Sequence, residues 1–325
     1  MASLRGKRAL VTGGAGFIGS HLVDALLAED MAHVAVVDNL FLGKEENLAA
    51  AREAFGDRVR LYREDAGDFE ALRAVCAAEK PDIVFNLATK ALLYSFFNPS
   101  GAARINLDIA LALAELLRAG AFGRLIHVST SEVYGTARSV PMAEEHPLNA
   151  ETTYAAGKAA ADLALASYVR MFDLDIVTLR PFNNYGPRQN DGQLAAIVPL
   201  TIKRIARGEK PVIEGDGKQT RDFIYVADTV SAIVKFAQRD GLKGEVYNLG
   251  SGRETAIHDI VSAICEGMGY RGDIVHTAAR PADVRRHCAD VTRAQAVIGD
   301  VAATPLGEGM RRTVEWYRTD RLHGP

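Results

Sequence analysis

The sequence predicts an α/β fold, with a doubly wound parallel sheet followed by a smaller, C-terminal mixed α/β region. Up to about residue 180, short apolar runs alternate with helical patterns, as in repeated βα units. After residue 180 the alternation gives way to a polar, irregular segment (181–192), short strands and short helices. We therefore expect residues 1–180, joined by about 222–250, to form one domain, and residues 181–221 and 251–325 to form a second.

Each element is predicted from its apolar periodicity and its flanking turn residues. Strands are expected at residues 8–12, 34–38, 59–62, 81–88, 124–128 and 175–180, and later at 211–213 and 246–249. Helices are expected after a glycine-rich turn that begins at Gly13, and at residues 69–78, 106–119, 154–171, 197–206, 257–264 and 306–317. The 106–119 helix is rich in aliphatic residues, which fits either a dimer interface or a helix that only covers the sheet.

Charge, cysteine content and hydropathy exclude several classes of protein. The 38 Lys and Arg residues are balanced by 41 Asp and Glu residues, so no basic excess points to a nucleic-acid partner. The 3 cysteines are scattered and form no ligand spacing, which argues against a disulfide framework or a zinc site, and no metal is expected. No apolar run is long enough to span a membrane, and a strand near residue 7 leaves no room for a signal peptide. We therefore expect a cytoplasmic protein.

A glycine-rich loop lies between the first strand and the first helix. Gly13, Gly16 and Gly19 have the spacing GxxGxxG, which lets the backbone of a Rossmann-type fold approach a pyrophosphate at a helix N-terminus. Asp38 ends the second strand about 20 residues later, where a carboxylate is expected to bind the adenosine ribose 2′-hydroxyl. It would repel a 2′-phosphate, so NAD is favoured over NADP. The alternative is that Asp38 only caps a turn.

A second set of residues indicates acid–base chemistry. Tyr154 and Lys158 are four residues apart, so on a helix they share a face, and the cation is expected to lower the pKa of the phenol. A tyrosine made acidic in this way can act as a general base toward a substrate hydroxyl. Thr130, Ser131 and Glu132 follow the 124–128 strand and should lie at its carboxyl end, where open α/β sheets bind ligands. The alternative is that Tyr154 and Lys158 form an ordinary surface pair.

These and other stretches together match a known family. They are TGGAGFIG (12–19), the strand-ending Asp38, STSEVYG (129–135), YAAGK (154–158), RPFNNYGPRQ (180–189), GDGKQTRDFIYVAD (215–228), NLGSG (248–252) and RPADV (280–284). They run nearly end to end in the family's order, and through them the chain resembles the extended short-chain dehydrogenases/reductases that modify nucleotide sugars. The resemblance implies an NAD-dependent enzyme, a nucleotide sugar (commonly UDP-linked) as its partner, and a homodimer formed through the 106–119 and 154–171 helices.

The resemblance also implies roles for individual residues. Tyr154 would be the base, Lys158 its partner and a contact of the nicotinamide ribose, and Thr130 a hydrogen-bonding partner of the sugar 4-hydroxyl. The rest of the NAD site would comprise Gly13, Gly16, Phe17, Ile18, Gly19, Asp38, Asn39, Asp65, Ala66, Leu87, Ala88 and Ser129. Asp65 would lie near the adenine, although its position equally suits a helix cap. Asn183 would contact the sugar diphosphate, with cations from Arg188, Arg221 and Arg280, each of which could instead be an ordinary surface arginine.

The chemistry shared by such enzymes is oxidation of the sugar at C4, with Tyr154 removing the hydroxyl proton and NAD taking the hydride. A 4-epimerase then returns the hydride to the other face and needs no second acid or base. A 4,6-dehydratase needs a base for C5–H and an acid for the C6 hydroxyl. The familiar dTDP-glucose dehydratases show Thr-Asp-Glu where this chain has Ser131 in the middle, although similar UDP-hexosamine dehydratases dispense with that aspartate. A UDP-glucuronate decarboxylase needs neither group, because its 4-keto acid is a β-keto acid that loses CO₂ readily.

The Thr-Ser-Glu triplet resembles that of the decarboxylases, with Ser131 and Glu132 flanking C5 and C6. The leading hypothesis is therefore a UDP-glucuronate decarboxylase that yields a UDP-4-keto-pentose or UDP-xylose, followed by the dehydratase and then the 4-epimerase. Residues 87–95 depart from the Pro-rich loop of decarboxylases, and Lys90 within them could touch a ligand or be solvated. Two further alternatives are a sensor that binds NAD without turnover, which the intact catalytic residues oppose, and a reductase using free NADPH, which Asp38 opposes.

Overall fold

The computed structural model describes residues 3–192, 194–279 and 285–321. Within these residues, seven parallel strands form a central sheet: β1 (Arg8–Thr12), β2 (His33–Val37), β3 (Val59–Tyr62), β4 (Ile83–Asn86), β5 (Arg124–Val128), β6 (Ile176–Pro181) and β11 (Val246–Leu249). Their order across the sheet is β3-β2-β1-β4-β5-β6-β11. The predicted doubly wound α/β fold is confirmed.

Helices cover both faces of this sheet. The helices α1 (Phe17–Ala28) and α7 (Val226–Ala237) pack on one face, and α3 (Phe69–Glu79), α4 (Pro99–Arg118) and α5 (Thr153–Phe172) pack on the other. The short helix α2 (Ala49–Phe55) lies beside α1. Neighbouring residues of β1 point to opposite faces, so Leu10 packs with α4 and α5 whereas Val11 packs with α1 and α7. The strands are consequently apolar on both sides.

Helix α4 begins earlier than predicted. The sequence places its start at residue 106, whereas the structure starts it at Pro99. The side chain of Asn98 accepts a hydrogen bond from the backbone N–H of Gly101 (2.9 Å), and proline is well tolerated in the first helical turn. The first turn contains Pro, Ser and Gly, which resemble a loop until the Asn98 cap is recognised.

The smaller region is built from paired short strands and four helices within the described residues. The strand pairs are β7 (Asn183–Tyr185) with β10 (Phe223–Tyr225), β8 (Val212–Glu214) with β13 (Val275–Thr277), and β9 (Thr220–Arg221) with β12 (Thr255–Ala256). The helices are α6 (Ile197–Ala206), α8 (Ile257–Met268), α9 (Thr292–Ile298) and α10 (Leu306–Trp316), with α8 packed between α6 and α10. The prediction that residues 181–192 are irregular throughout is wrong at β7, which is stabilised by its pairing with β10.

The order of the strands determines where a ligand can lie. It reverses between β1 and β4, and such a switch point leaves a crevice at the carboxyl ends of the strands. The loops that follow β1, β2, β4, β5 and β6 all open toward this crevice. Among the described helices, none has both the length and the apolar character needed to cross a lipid bilayer.

Candidate active site

A cleft of about 860 Å³ opens at the carboxyl ends of the central strands. Its volume lies in the upper part of the range for small-molecule sites, about 300–1,000 Å³. Every predicted site residue that the structure describes lines this cleft, with the glycine-rich loop on one side and β7, β9 and α6 on the other. Arg280, together with the predicted 280–283 turn, lies outside the described residues.

The glycine-rich loop has no room for side chains at two positions. Gly13 has a φ of +70°, and a Cβ there would lie 2.7 Å from the backbone nitrogen of Ala88. A Cβ on Gly19 would collide with the carbonyl oxygen of Gly13. Helix α1 starts directly after Gly16 without a side-chain cap, which leaves its first N–H groups available to an anion at the cleft. The loop therefore fits the pyrophosphate of a dinucleotide.

Asp38 both lines the cleft and holds the loop in shape. Its Oδ2 accepts a hydrogen bond from the backbone N–H of Ala15 (3.0 Å), and its Oδ1 accepts one from that of Leu40 (2.9 Å). Desolvation raises the pKa of the Asp38 carboxyl group, although these hydrogen bonds act in the opposite direction and lower it. The turn-capping role and a contact with a ribose are compatible, because a carboxylate has about four acceptor positions.

Asp65 closes a turn in the cleft wall. Its Oδ1 accepts a hydrogen bond from the backbone N–H of Gly67 (2.8 Å), and its Oδ2 accepts one from Nδ2 of Asn39 (3.0 Å). The residue that caps α3 is Asp68, whose side chain accepts hydrogen bonds from the N–H groups of the first helical turn. The alternative in which Asp65 caps the helix is therefore wrong.

Helix α5 places Tyr154 and Lys158 in the wall of the cleft. The side chain of Thr152 caps the helix by accepting a hydrogen bond from the backbone N–H of Ala155 (3.2 Å). Lys158 is only 2% exposed, and its Nζ donates to the carbonyl oxygen of Val128 at the end of β5 (3.0 Å). The alternative of an ordinary surface pair is therefore wrong.

The predicted lowering of the Tyr154 pKa is wrong. Desolvation in the cleft raises the pKa of Tyr154 to about 12. Hydrogen bonding to Thr130 and Thr89 lowers this pKa, whereas the charge of Glu132 raises it further. Desolvation likewise lowers the pKa of Lys158 to about 8, against the attraction of a buried carboxylate in the next turn. Burial outweighs the effect that the four-residue spacing predicts.

A row of buried polar side chains crosses the sheet beside Lys158. It comprises Thr12, Asn86, His127, Asp162 and Arg180. The amide of Asn86 lies 2.8 Å from the Thr12 hydroxyl and 3.0 Å from Nδ1 of His127, and Oδ2 of Asp162 lies 2.9 Å from Nε of Arg180. Desolvation lowers the pKa of His127 well below its usual value, so the ring is neutral. Sequence reasoning missed this row, although Asp162 continues the four-residue series of Tyr154 and Lys158.

One turn of 3₁₀ helix (Ser131–Tyr134) follows β5 and brings Ser131 and Glu132 to the cleft. The imidazole of His287 lies against the Ser131 backbone. Desolvation lowers the pKa of His287 to about 4, so the ring is neutral near pH 7. The alcohol of Ser131 is a weak acid as well, and Glu132 is therefore the acid–base group that this turn offers.

The predicted substrate residues differ in their contacts. Asn183 lies in β7, and its Nδ2 is buried without a partner in the protein. Arg188 has a φ of +62°, and its Nη1 is paired with Oδ2 of Asp24 on α1 (2.7 Å). Arg221 is half-buried, and its Nη1 donates to the carbonyl oxygen of Thr220 (2.9 Å). Asn183 is therefore better placed for a ligand than Arg188.

Further amide side chains line the same side of the cleft as Asn183. Like Asn183, they each have a buried polar atom without a partner in the protein: Oδ1 of Asn184, Oε1 of Gln189, Nδ2 of Asn190 and Oε1 of Gln219. Buried polar groups in proteins are nearly always hydrogen-bonded. This mixture of donors and acceptors fits a polar ligand such as a nucleotide sugar. Sequence reasoning named only Asn183, although most of these amides fall within the two longest matching motifs.

Residues 187–192, here called the strap, join the two sides of the cleft. The carbonyl oxygen of Pro187 lies 3.0 Å from Nε2 of His21 on α1. Asp191 lies 3.0 Å from Nζ of Lys44, which follows β2, and 3.1 Å from Nζ of Lys203 on α6. The backbone N–H of Lys44 in turn donates to the glycine-rich loop. One carboxylate thus links the side of the cleft formed by the glycine-rich loop to the side formed by α6.

Lys90, whose environment the sequence left open, lies in the cleft wall over an aromatic ring. Its Nζ is 3.5 Å from the centroid of the Phe41 ring, which packs edge-on against Tyr94 at a centroid distance of 5.4 Å. This is a cation–π contact. Neither Phe41 nor Tyr94 belongs to a sequence motif, so this contact could not be predicted from the sequence.

Comparison with known proteins gives the family and three kinds of reaction. Residues 9–250 match the NAD dependent epimerase/dehydratase family. The chain is 36% identical to a UDP-glucose 4-epimerase of Mycolicibacterium smegmatis over 313 residues, which cover 96% of this chain and 98% of the relative. It is 32% identical to UDP-glucuronic acid decarboxylase 1 of Xenopus tropicalis over 328 residues, which cover 98% of this chain and 73% of the relative.

A crystal structure of similar fold has NAD in place. It is a dTDP-glucose 4,6-dehydratase from Streptomyces venezuelae, 31% identical, with a TM-score of 0.89 over 97% of this chain and 98% of that chain. Three enzymes with three different reactions thus match at 31–36% identity. Overall similarity does not distinguish these reactions, so the choice between them depends on the residues of the cleft.

Proposed function

Because the chain belongs to the NAD dependent epimerase/dehydratase family, we propose that it oxidises C4 of a nucleotide sugar with Tyr154 as the base. The family is NAD-dependent. The observation that carries the proposal is the position of the Tyr154 phenol. It lies in the cleft wall together with Thr130, one helical turn from the buried ammonium of Lys158. This is an arrangement in which a phenolate can accept a proton from a sugar hydroxyl.

Bound NAD supplies the hydride acceptor and a positively charged nicotinamide ring. Tyr154 takes the proton of the C4 hydroxyl, and Thr130 hydrogen-bonds to the same hydroxyl. Lys158 favours the phenolate through its charge and would contact the nicotinamide ribose. The other residues proposed for the cofactor are Gly13, Gly16, Phe17, Ile18, Gly19, Asp38, Asn39, Asp65, Ala66, Leu87, Ala88 and Ser129, all in the cleft wall.

We propose that the second step is loss of CO₂ from UDP-glucuronate. The 4-keto uronate is a β-keto acid, so cleavage of the C5–C6 bond needs no acid at C6. A reaction that needs no acid agrees with Ser131 and the neutral His287, because neither side chain is a strong proton donor. Loss of CO₂ leaves an enolate that takes up a proton at C5, and Glu132, which is placed beside the phenol, would relay that proton from solvent. The product is a UDP-4-keto-pentose or, if the hydride returns to C4, UDP-xylose.

Two other outcomes compete at this step. A 4,6-dehydratase would use Glu132 as the C5 base, but it also needs a proton for the departing C6 hydroxyl. A 4-epimerase is the second candidate, and the 36% identity to a UDP-glucose 4-epimerase favours it. An epimerase must leave C5–H untouched, and a carboxylate beside the phenol adds a base that this reaction does not use. This difference supports a lyase over an epimerase.

Product mass distinguishes these reactions. Purified protein with NAD would be incubated separately with UDP-glucuronate, UDP-glucose and UDP-N-acetylglucosamine, with Tyr154→Phe as the matched control. We expect loss of CO₂ from UDP-glucuronate and no change with the control. Loss of water from either neutral sugar would make the protein a dehydratase, and an unchanged mass with inverted C4 would make it an epimerase. If none of the three sugars reduces bound NAD, the result contradicts oxidation of these sugars and favours a binder without turnover.

Exposed apolar side chains on α5 bear on the predicted homodimer. Helix α5 carries three large apolar side chains that are exposed in the single chain, namely Leu163 (59%), Met171 (69%) and Phe172 (43%). We propose that α4 and α5 pair with those of a second copy and cover these side chains. Sedimentation of wild type and Leu163→Glu tests this: a dimer that the charge converts to a monomer is expected, and a monomeric wild type would refute it.

A further inference from the structure

The side chain of Asp222 is completely buried, and its carboxylate joins three segments of the chain. Its Oδ1 accepts hydrogen bonds from the backbone N–H and from the hydroxyl of Ser251 (2.7 and 2.6 Å). Its Oδ2 accepts hydrogen bonds from the backbone N–H groups of Gly252 (2.9 Å) and Ala289 (3.1 Å). Four donors therefore occupy the roughly four acceptor positions of one carboxylate.

These hydrogen bonds connect the smaller region to the central sheet. Asp222 lies between β9 and β10 of the smaller region, whereas Ser251 and Gly252 directly follow β11 of the central sheet. A Cβ on Gly250 would lie 2.7 Å from Oδ2 of Asp222, so the loop after β11 passes directly against the carboxylate. The carboxylate therefore fixes the position of β9 and β10 relative to the central sheet.

The backbone around Asp222 carries residues of the cleft wall. Its two neighbours in the chain, Arg221 and Phe223, both line the cleft. The backbone carbonyl oxygen of Asp222 accepts a hydrogen bond from the backbone N–H of Asn183 (2.9 Å), where β7 pairs with β10. The side chain of Asn183 also lines the cleft, and its Nδ2 is buried without a partner in the protein. Asp222 thus holds two residues that are expected to contact the sugar diphosphate.

We propose that Asp222 is a positioning residue for the nucleotide sugar, and that its four hydrogen bonds set the backbone from which Asn183 and Arg221 reach the diphosphate. The inference rests on the function proposed above, to which it adds a carboxylate that lies behind the cleft wall. Asp222 acts on the strength of ligand binding, because a backbone that is already fixed loses less conformational freedom when the diphosphate binds.

The test replaces the carboxylate by an amide of nearly the same shape. In Asp222→Asn the NH₂ group must face a backbone N–H whichever way the amide is turned, since both oxygens accept from backbone donors. Ser251→Ala removes a single donor and is the second variant if Asp222→Asn does not fold. The matched control is Asp228→Asn. Asp228 accepts hydrogen bonds from the N–H and the hydroxyl of Thr304 (both 2.9 Å), and neither residue lines the cleft.

Three quantities would be measured for each protein. They are the dissociation constants of UDP and of NAD, by calorimetric titration, and the rate of amide hydrogen exchange in the peptide that contains Asn183. We expect UDP to bind about tenfold more weakly to Asp222→Asn and about threefold more weakly to Ser251→Ala, with the affinity for NAD unchanged. Hydrogen exchange at Asn183 should be faster in both variants. Asp228→Asn should match wild type in all three quantities.

Two results would overturn the inference. Equal losses of UDP and NAD affinity would show that Asp222 only stabilises the fold, and unchanged UDP affinity in both variants would show that it does not position the ligand site. A wild type that binds no UDP would contradict the proposed function instead. The exchange rates then decide on Asp222, because they need no ligand: faster exchange at Asn183 supports the inference, and unchanged exchange overturns it.

Discussion

The Nζ atom of Lys158 lies 3.0 Å from the carbonyl oxygen of Val128, the last residue of β5. This hydrogen bond joins the helix that carries the phenol to the strand that leads into Thr130. Its donor is an ammonium group with almost no access to water, and desolvation lowers its pKa to about 8. The free energy of burying this charge should therefore appear in the pH dependence of stability.

Lys158→Met should change how stability depends on pH. The pKa of Lys158 is about 8 in the folded protein and 10.5 in the unfolded chain. Between these values the unfolded chain binds more protons, so wild type should gain stability over the variant as pH rises, by about 1.4 kcal/mol per pH unit. Urea unfolding of both proteins from pH 7 to about pH 9.5 measures the difference. A difference that stays constant with pH would show that Lys158 is not desolvated.

Glu132→Gln should separate C4 oxidation from the steps at C5. The charge of Glu132 raises the pKa of Tyr154, so its removal should shift the pH profile of nicotinamide reduction to lower pH. Formation of the final product should fall about a hundredfold, the lower end of typical acid–base contributions. Glu132→Asp keeps the charge and is the control. If Glu132→Gln slowed nicotinamide reduction and formation of the final product by the same factor, this division of roles would be contradicted.

Asp191→Asn should weaken retention of NAD. Although burial favours the neutral form, hydrogen bonds from Lys44 and Lys203 hold the pKa of Asp191 below its usual value. Loss of the charge should speed NAD dissociation about fivefold, which corresponds to roughly 1 kcal/mol for a partly exposed ion pair. High salt should accelerate release from wild type more than from the variant.

The control for this measurement is Asp273→Asn. Asp273 pairs with Lys210 at the same 3.0 Å distance, but on the exposed surface of the smaller region. It should leave NAD dissociation unchanged. If Asp273→Asn speeds NAD dissociation as much as Asp191→Asn does, the effect comes from the overall charge of the protein and not from the strap.

Gly19→Ala should abolish NAD binding without unfolding the protein. The added Cβ would collide with the carbonyl oxygen of Gly13, so the loop must move away from the position that admits a pyrophosphate. Calorimetric titration with NAD measures the loss. Gly307→Ala, at an exposed helix position with nothing within 4 Å of the added Cβ, should bind NAD normally. Normal binding by the Gly19 variant would mean that the loop does not hold the cofactor.

The parts of the site that short motifs encode could be predicted from the sequence. The glycine-rich loop, Asp38 and the Tyr154–Lys158 pair depend on spacings of a few residues that backbone geometry constrains directly. Lys44 and Asp191 are 147 residues apart, and neither belongs to a pattern that signals the other, so their ion pair could not be predicted. The Tyr154 pKa was mispredicted because it depends on burial, which a helical spacing does not report.

The start of α4 shows a second limit of prediction from the sequence. The periodicity of residues 106–119 indicates an amphipathic helix, but the start of the helix depends on a cap at Asn98.

The residues proposed for the base and the hydride acceptor all lie between Thr12 and Lys158, whereas the unpartnered amides all lie beyond residue 182. In the proposed assignment, the oxidation chemistry and most of the ligand recognition therefore occupy separate stretches of the chain. Recombination after β6 could exchange the sugar that is recognised while retaining the oxidation machinery. A chimera built there, with a matched strap, would be a practical starting point for engineering new nucleotide-sugar products.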